Sequence, residues 1–220
     1  MKRRIGPTIV VTLAVSAAAG VLVASNMGHV ATVQLDAATS GVSVTGVNTI
    51  NLPYDVGPNI VNAKDLMNDI TFANVVSVSR FLKATDSLQS YTGRKGGGLA
   101  FPITAGECYY VKLITTTNYP VVGSSLPDLP ITLQAAAAGV SNSGVNFVSL
   151  PFNITARNAK GLMDDIGFSN VISVSRFLKA TDSFQSYTGR KGGGLAFPIS
   201  HDECYYIKML TTVNYTPTHY

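Results

Sequence analysis

The chain has 220 residues, 46% of them hydrophobic and only 13% charged, with ten Tyr, nine Phe and no Trp to build a core. Its formal net charge of +4 is largely local: Lys2, Arg3 and Arg4 open the chain, all twelve acidic residues lie downstream, and the remaining thirteen basic residues leave a balance of +1. That balance gives no electrostatic reason to expect binding to a nucleic-acid backbone.

Met1-Lys-Arg-Arg-Ile-Gly is a basic start to an apolar run from Ile9 to about Ala24, the layout of a secretory signal peptide. Small residues at Val23-Ala-Ser25 place a cleavage near Ser25/Asn26. The run also approaches the roughly 18–20 residues that span a bilayer, so residues 1–25 read either as a signal peptide or as an uncleaved hydrophobic anchor. A pilin-like cut after Gly6 is disfavoured by Pro7 and by the lack of an acidic residue in the apolar run.

Short strands are expected at residues 33–35 and 49–52. Residues 62–70 then read as the unit's one helix: Ala63, Leu66, Met67 and Ile70 take the i, i+3, i+4, i+7 spacing of a buried face, and Asn62 suits the N-cap. Residues 75–81 alternate apolar and polar side chains as a half-buried strand does, and 88–91 resume strand character after the turn formers of Lys83-Ala-Thr-Asp-Ser87. A short strand at 100–103 would put Pro102 at an edge or bulge. Residues 108–114 form the strongest strand pattern, in which Tyr109 and Tyr110 point to opposite faces.

Residues 119–130 contain three prolines and a Gly-Ser-Ser, the composition of a short, stiff connector. Beyond it the text repeats. Residues 171–208 reproduce residues 75–112 with six changes in 38 positions, and the match reaches back to 46–53 against 144–151 and 33–43 against 131–141. A period near 97 residues is too long for a solenoid and suits a small domain. The chain therefore divides into residues 1–25, a first unit at 31–118, a connector at 119–130 and a second unit at 131–220. The expected fold is mainly β: two tandem homologous domains, sandwiches or small barrels, each with one short helix.

The copies test one another's candidate sites. Arg94, Lys95, Gly96, Gly97 and Gly98 return as Arg190, Lys191, Gly192, Gly193 and Gly194, a loop whose amides and cations could hold an anion, a glycan or a partner surface. It lacks the order and the strand-to-helix setting of a phosphate-binding Walker loop, and a plain basic turn is the other reading. One Asp in each Ala-Thr-Asp-Ser turn is too few oxygen ligands for calcium. His201-Asp-Glu203 is the most enzyme-like cluster, but the first copy has Ala105-Gly-Glu107, so Asp202 reads as a turn residue replacing Gly106. The three histidines have no metal-ligand spacing, and no catalytic motif or cofactor signature is present. Cys108 and Cys204 occupy equivalent strand positions, and three readings stay open: buried free thiols, an interdomain disulfide, or cross-links between chains.

The pattern N-x-[IV]-x-LP, A-x-x-LM, SVSRF, SY-x-G, FPI, E-x-YY-[VI]-K resembles a β-rich repeat of secreted and cell-surface bacterial proteins. That group usually has an aromatic such as Trp after the Arg and a Gly before the E-x-Y strand. Here Phe81 and Phe177 take the aromatic place, and only the first copy keeps the glycine, Gly106. The resemblance implies export and β-domain architecture, and no reaction. Two like domains suggest a non-enzymatic extracellular subunit that self-assembles into a filament, pilus-like fibre or surface layer, with itself as partner. The alternative is an adhesin or carbohydrate-binding module with two equivalent sites for surface glycans. Neither needs a cofactor, a nucleic acid, or a membrane other than at an uncleaved N-terminal segment.

Overall fold

In a computed structural model the described residues are 29–52, 54–93, 97–125, 130–189, 193–200 and 202–218. The first domain comprises β1 (His29–Leu35), β2 (Val47–Asn51), β3 (Tyr54–Asp55), α1 (Ala63–Thr71), β4 (Val75–Leu82), β5 (Ser87–Tyr91), β6 (Cys108–Leu113) and β7 (Thr117–Ser125). The second comprises β8 (Ile131–Leu133), β9 (Val145–Ser149), α2 (Ala159–Ile166), β10 (Val171–Leu178), β11 (Ser183–Tyr187), β12 (Cys204–Met209) and β13 (Val213–Tyr215). The chain is mainly β, with two similar pairs of sheets and one α-helix in each domain.

Each domain is built around an antiparallel four-stranded sheet, ordered β2-β6-β4-β5 in the first and β9-β12-β10-β11 in the second. A smaller sheet (β1-β7-β3, or β8-β13) and the helix cover one face of it. Ala63, Leu66, Met67 and Ile70 of α1 are all buried, and they pack with Leu35, Ile50, Val78, Tyr109 and Val111 in one core. Leu162, Met163, Leu133, Val174, Tyr205 and Ile207 repeat that core in the second domain. Asn62 caps α1 by accepting from Lys64 N and Asp65 N, while the Asp65 carboxylate accepts from Asn62 N, a reciprocal capping box.

Two sequence expectations are corrected. Residues 119–125 do not belong to a connector: they lie in β7, which pairs with β1 from His29↔Gly123 to Leu35↔Thr117. Val121 and Val122 favour extended backbone there, and Pro120, opposite Thr32, only removes a donor. The stretch between β7 and β8 is thus short, and residues 126–129 lie outside the described residues. Residues 100–103 make no strand. Pro102 forms an isolated bridge to Asn62, and Phe101 is buried beneath it.

The domains pack sheet against sheet. In β6, Tyr109, Val111 and Leu113 face their own core, while Cys108 and Tyr110 face the sister domain; Cys204 and Tyr206 of β12 do the same. The period-two alternation of a strand therefore serves two interiors at once. The contacts come in reciprocal pairs. Val44 N donates to Lys179 O at 3.1 Å and its counterpart Asn142 N donates to Lys83 O at 2.8 Å. Thr45 Oγ1 donates to Asp182 Oδ1, and Ser143 Oγ to Asp86 Oδ1. Phe81 meets Tyr206 edge-on with centroids 6.4 Å apart, and Phe177 meets Tyr110 likewise at 6.3 Å. On the axis of this two-fold-like arrangement, Cys108 is bonded to Cys204 across a Cα–Cα distance of 6.0 Å, and Ser149 Oγ bonds its counterpart Asn51 Oδ1.

Candidate functional site

The disulfide and its aromatic surround form a buried cluster at the seam between the domains. Phe147 stacks on Tyr110 at 5.0 Å and on Tyr206 at 4.3 Å, closing the interface beside Cys108–Cys204. Phe147 is also a departure from two-fold likeness, since Thr49 occupies the corresponding place in β2. Of the three readings of the cysteines, the structure contains the interdomain bond.

A cleft opens on each side of this seam, lined by both domains. The first, about 330 Å³, takes Arg80, Phe81, Lys83 and Glu107 from one domain and Ile131 and Phe147 from the other. The second, about 410 Å³, takes the counterparts Arg176, Phe177, Lys179 and Glu203, with Val33 and Thr49. Both volumes lie near the lower end of small-molecule cavities, about 300–1,000 Å³.

Register places the cations. Arg80 and Arg176 leave β4 and β10 opposite Gln89 and Gln185, which accept from their Nε atoms at 2.8 and 2.9 Å. Each guanidinium lies 5.0 Å over a phenylalanine ring, Phe101 or Phe197. Beyond that the clefts differ. Arg176 Nη1 reaches both Glu203 oxygens at 3.3 Å, and the Lys179 ammonium pairs with the fully buried Asp36. Among the described residues no carboxylate pairs with Arg80 or Lys83. Glu107 accepts from Tyr109 Oη at 2.9 Å, as Glu203 does from Tyr205 Oη at 3.0 Å. Burial and the adjoining carboxylate push the Tyr109 and Tyr205 phenols well above their ordinary 10.0, so both stay neutral donors. Burial and the hydrogen bonds to Asp69 and Asp165 do the same to Tyr119 and Tyr215.

Of the glycine-rich loops, Arg94, Lys95, Gly96, Arg190, Lys191 and Gly192 lie outside the described residues. Gly98 and Gly194 have φ of +98° and +101°, and a Cβ on either would sit 2.8 Å from the carbonyl oxygen of Ser90 or Ser186. Those two glycines answer a backbone requirement. The perfectly repeated Ala-Thr-Asp-Ser turns also have a structural task. Asp86 and Asp182 accept the bonds from Thr45, Asn142 and Ser143 that clasp the sister domain. His201 lies outside the described residues, and Asp202 accepts from Ser200 Oγ within the turn that Gly106 occupies in the first copy. No group of three or more His, Cys, Asp or Glu able to hold a metal occurs among the described residues.

Sequence reasoning missed Lys83 and Lys179 as site residues, along with Arg80 and Arg176. Their signal was present in a pair of unlike residues at matched positions, Asp36 against Gln134. No protein-family model, no curated protein and no solved structure matches the chain.

Proposed function

We propose that the chain is a non-enzymatic structural subunit of an extracellular assembly, a filament or surface layer, exported by its N-terminal segment. The observation that carries this reading is the covalent, back-to-back fusion of the two domains. A disulfide belongs to an oxidising compartment, which supports export. It also gives force a short route from β6 to β12 that bypasses the stretch between β7 and β8. The reciprocal contacts around it make an isologous interface, completed within one chain. Assembly between chains therefore uses other surfaces. The outer strands β5 and β11 expose Leu88 and Phe184 at 53% and 54%, and the β1-β7 ribbon exposes the directly opposed Val30 and Val122 at 65% and 54%. Such edges accept a further strand by main-chain hydrogen bonding.

Electron microscopy of the native secreted protein, alongside non-reducing electrophoresis, tests the reading. Ordered polymers whose subunits run as single chains without intermolecular disulfides are the expected result. Dispersed monomers at high protein concentration would remove it.

A further inference from the structure

The second cleft more than offsets its cations: Arg176 pairs with Glu203 and Lys179 with Asp36, and Asp202 lies nearby, two cations against three carboxylates. The first cleft keeps both cations, Arg80 and Lys83, and only Glu107 among the acids. Two differences between the copies produce this, Gln134 in place of Asp36 and Gly106 in place of Asp202. The backbone around the first difference is unchanged. Asp36 N donates to Asn48 Oδ1 at 2.9 Å and Asp36 O accepts from Asn48 Nδ2 at 2.8 Å; Gln134 makes the same two bonds with Asn146, both at 2.9 Å. Lys83 thus occupies the setting of Lys179 without the carboxylate that Lys179 holds.

We propose that the first cleft binds a carboxylate ligand of monosaccharide size, a hexuronic acid, at Lys83 and Arg80. The sister cleft displays the chemistry in place, since each of its cations is satisfied by a carboxylate. Arg80 lines the cleft with its Nε held by Gln89, which leaves its terminal nitrogens without a carboxylate among the described residues. Phe147, where the second cleft has Thr49, is largely buried in the seam but lines the first cleft and makes that wall more apolar. The acid can be free or the terminal residue of a polysaccharide. This inference holds whether or not the chain assembles.

Titration of the purified full-length secreted protein with glucuronate, followed by NMR shift perturbation, tests it, with glucose as the neutral control. One site per chain is expected, weakened by salt and at least tenfold tighter for glucuronate than for glucose. In Gln134→Asp an internal carboxylate should take the ligand's place and weaken glucuronate binding at least tenfold, with the melting temperature retained. Lys83→Gln should weaken it comparably, which keeps the question answerable should Gln134→Asp fold poorly. Tighter binding of an oligouronate would identify a polysaccharide end as the source, and equal binding the free acid; both outcomes sustain the site. The proposal is overturned by an absence of glucuronate binding, by equal binding of glucose, or by binding that both variants leave intact.

Discussion

Tyr205 and Tyr206 are neighbours with opposite duties. The Tyr205 hydroxyl accepts from Ser200 N at 2.6 Å, and its proton faces Ser200 O and Glu203 Oε2, each at 3.0 Å. The Tyr206 hydroxyl is buried with no hydrogen-bond partner among the described residues, although its ring packs on Phe81, Phe147 and Phe184. Removing a buried group from its partners costs about 1–3 kcal/mol, whereas removing an unpartnered one is neutral or favourable. Tyr205→Phe should therefore destabilise by roughly 1–3 kcal/mol, and Tyr206→Phe should stabilise by up to about 1 kcal/mol. Urea denaturation of the two variants checks the contrast, and equal losses would contradict it.

The helices show what sequence alone could and could not say about elements. The apolar spacing that marks residues 62–70 is the buried face of α1, and Asn62 caps it as its side-chain chemistry suggests. Alternation likewise marked β4 and β6, because a period of two survives whatever covers the second face. Alternation could not reveal that this second face is buried too. It also failed at 119–125, where proline and glycine suggest a connector and the strand β7, paired with β1, prevails. Each helix has a flaw that the other copy lacks. α1 ends on Thr71 at φ 114°, costly for a β-branched residue, where the second copy has Gly167 at φ 103°. α2 has Gly161 at the position Asp65 uses for its capping box, with the nearest atoms 3.6 Å or more from an added Cβ. Thr71→Gly and Gly161→Asp should each raise stability by about 1 kcal/mol, the second through helix propensity and the capping box. Thermal melts of the two single variants measure this, and a fall in either would refute the account for that helix.

At the scale of the molecule the repeat was legible and the pairing of its copies was not. Two equivalent cysteines are compatible with free thiols or links between chains until a two-fold-like packing brings their Cα atoms to 6.0 Å. That packing depends on residues spread over both copies: Val44 and Asn142 at one level, Asp86 and Asp182 at another, Phe147 with no equal in the first domain. The clefts were hidden for the same reason, since each draws its walls from separate stretches of both copies. The bond has a measurable consequence. Cross-linking positions separated by 96 residues removes a large loop-closure entropy from the unfolded chain, on the order of 4–5 kcal/mol in the chain-entropy treatment. Each domain has its own core, so removal of the bond should leave both folded while loosening their union. The double variant Cys108→Ala/Cys204→Ala should lose about 3–5 kcal/mol in denaturant unfolding and separate one cooperative transition into two. Buried thiols that merely lay near one another would cost only the small cavities of two missing sulfur atoms, about 1 kcal/mol each, and would leave the transition single. The number of transitions therefore distinguishes a covalent joint between two domains from two cysteines that happen to share an interface.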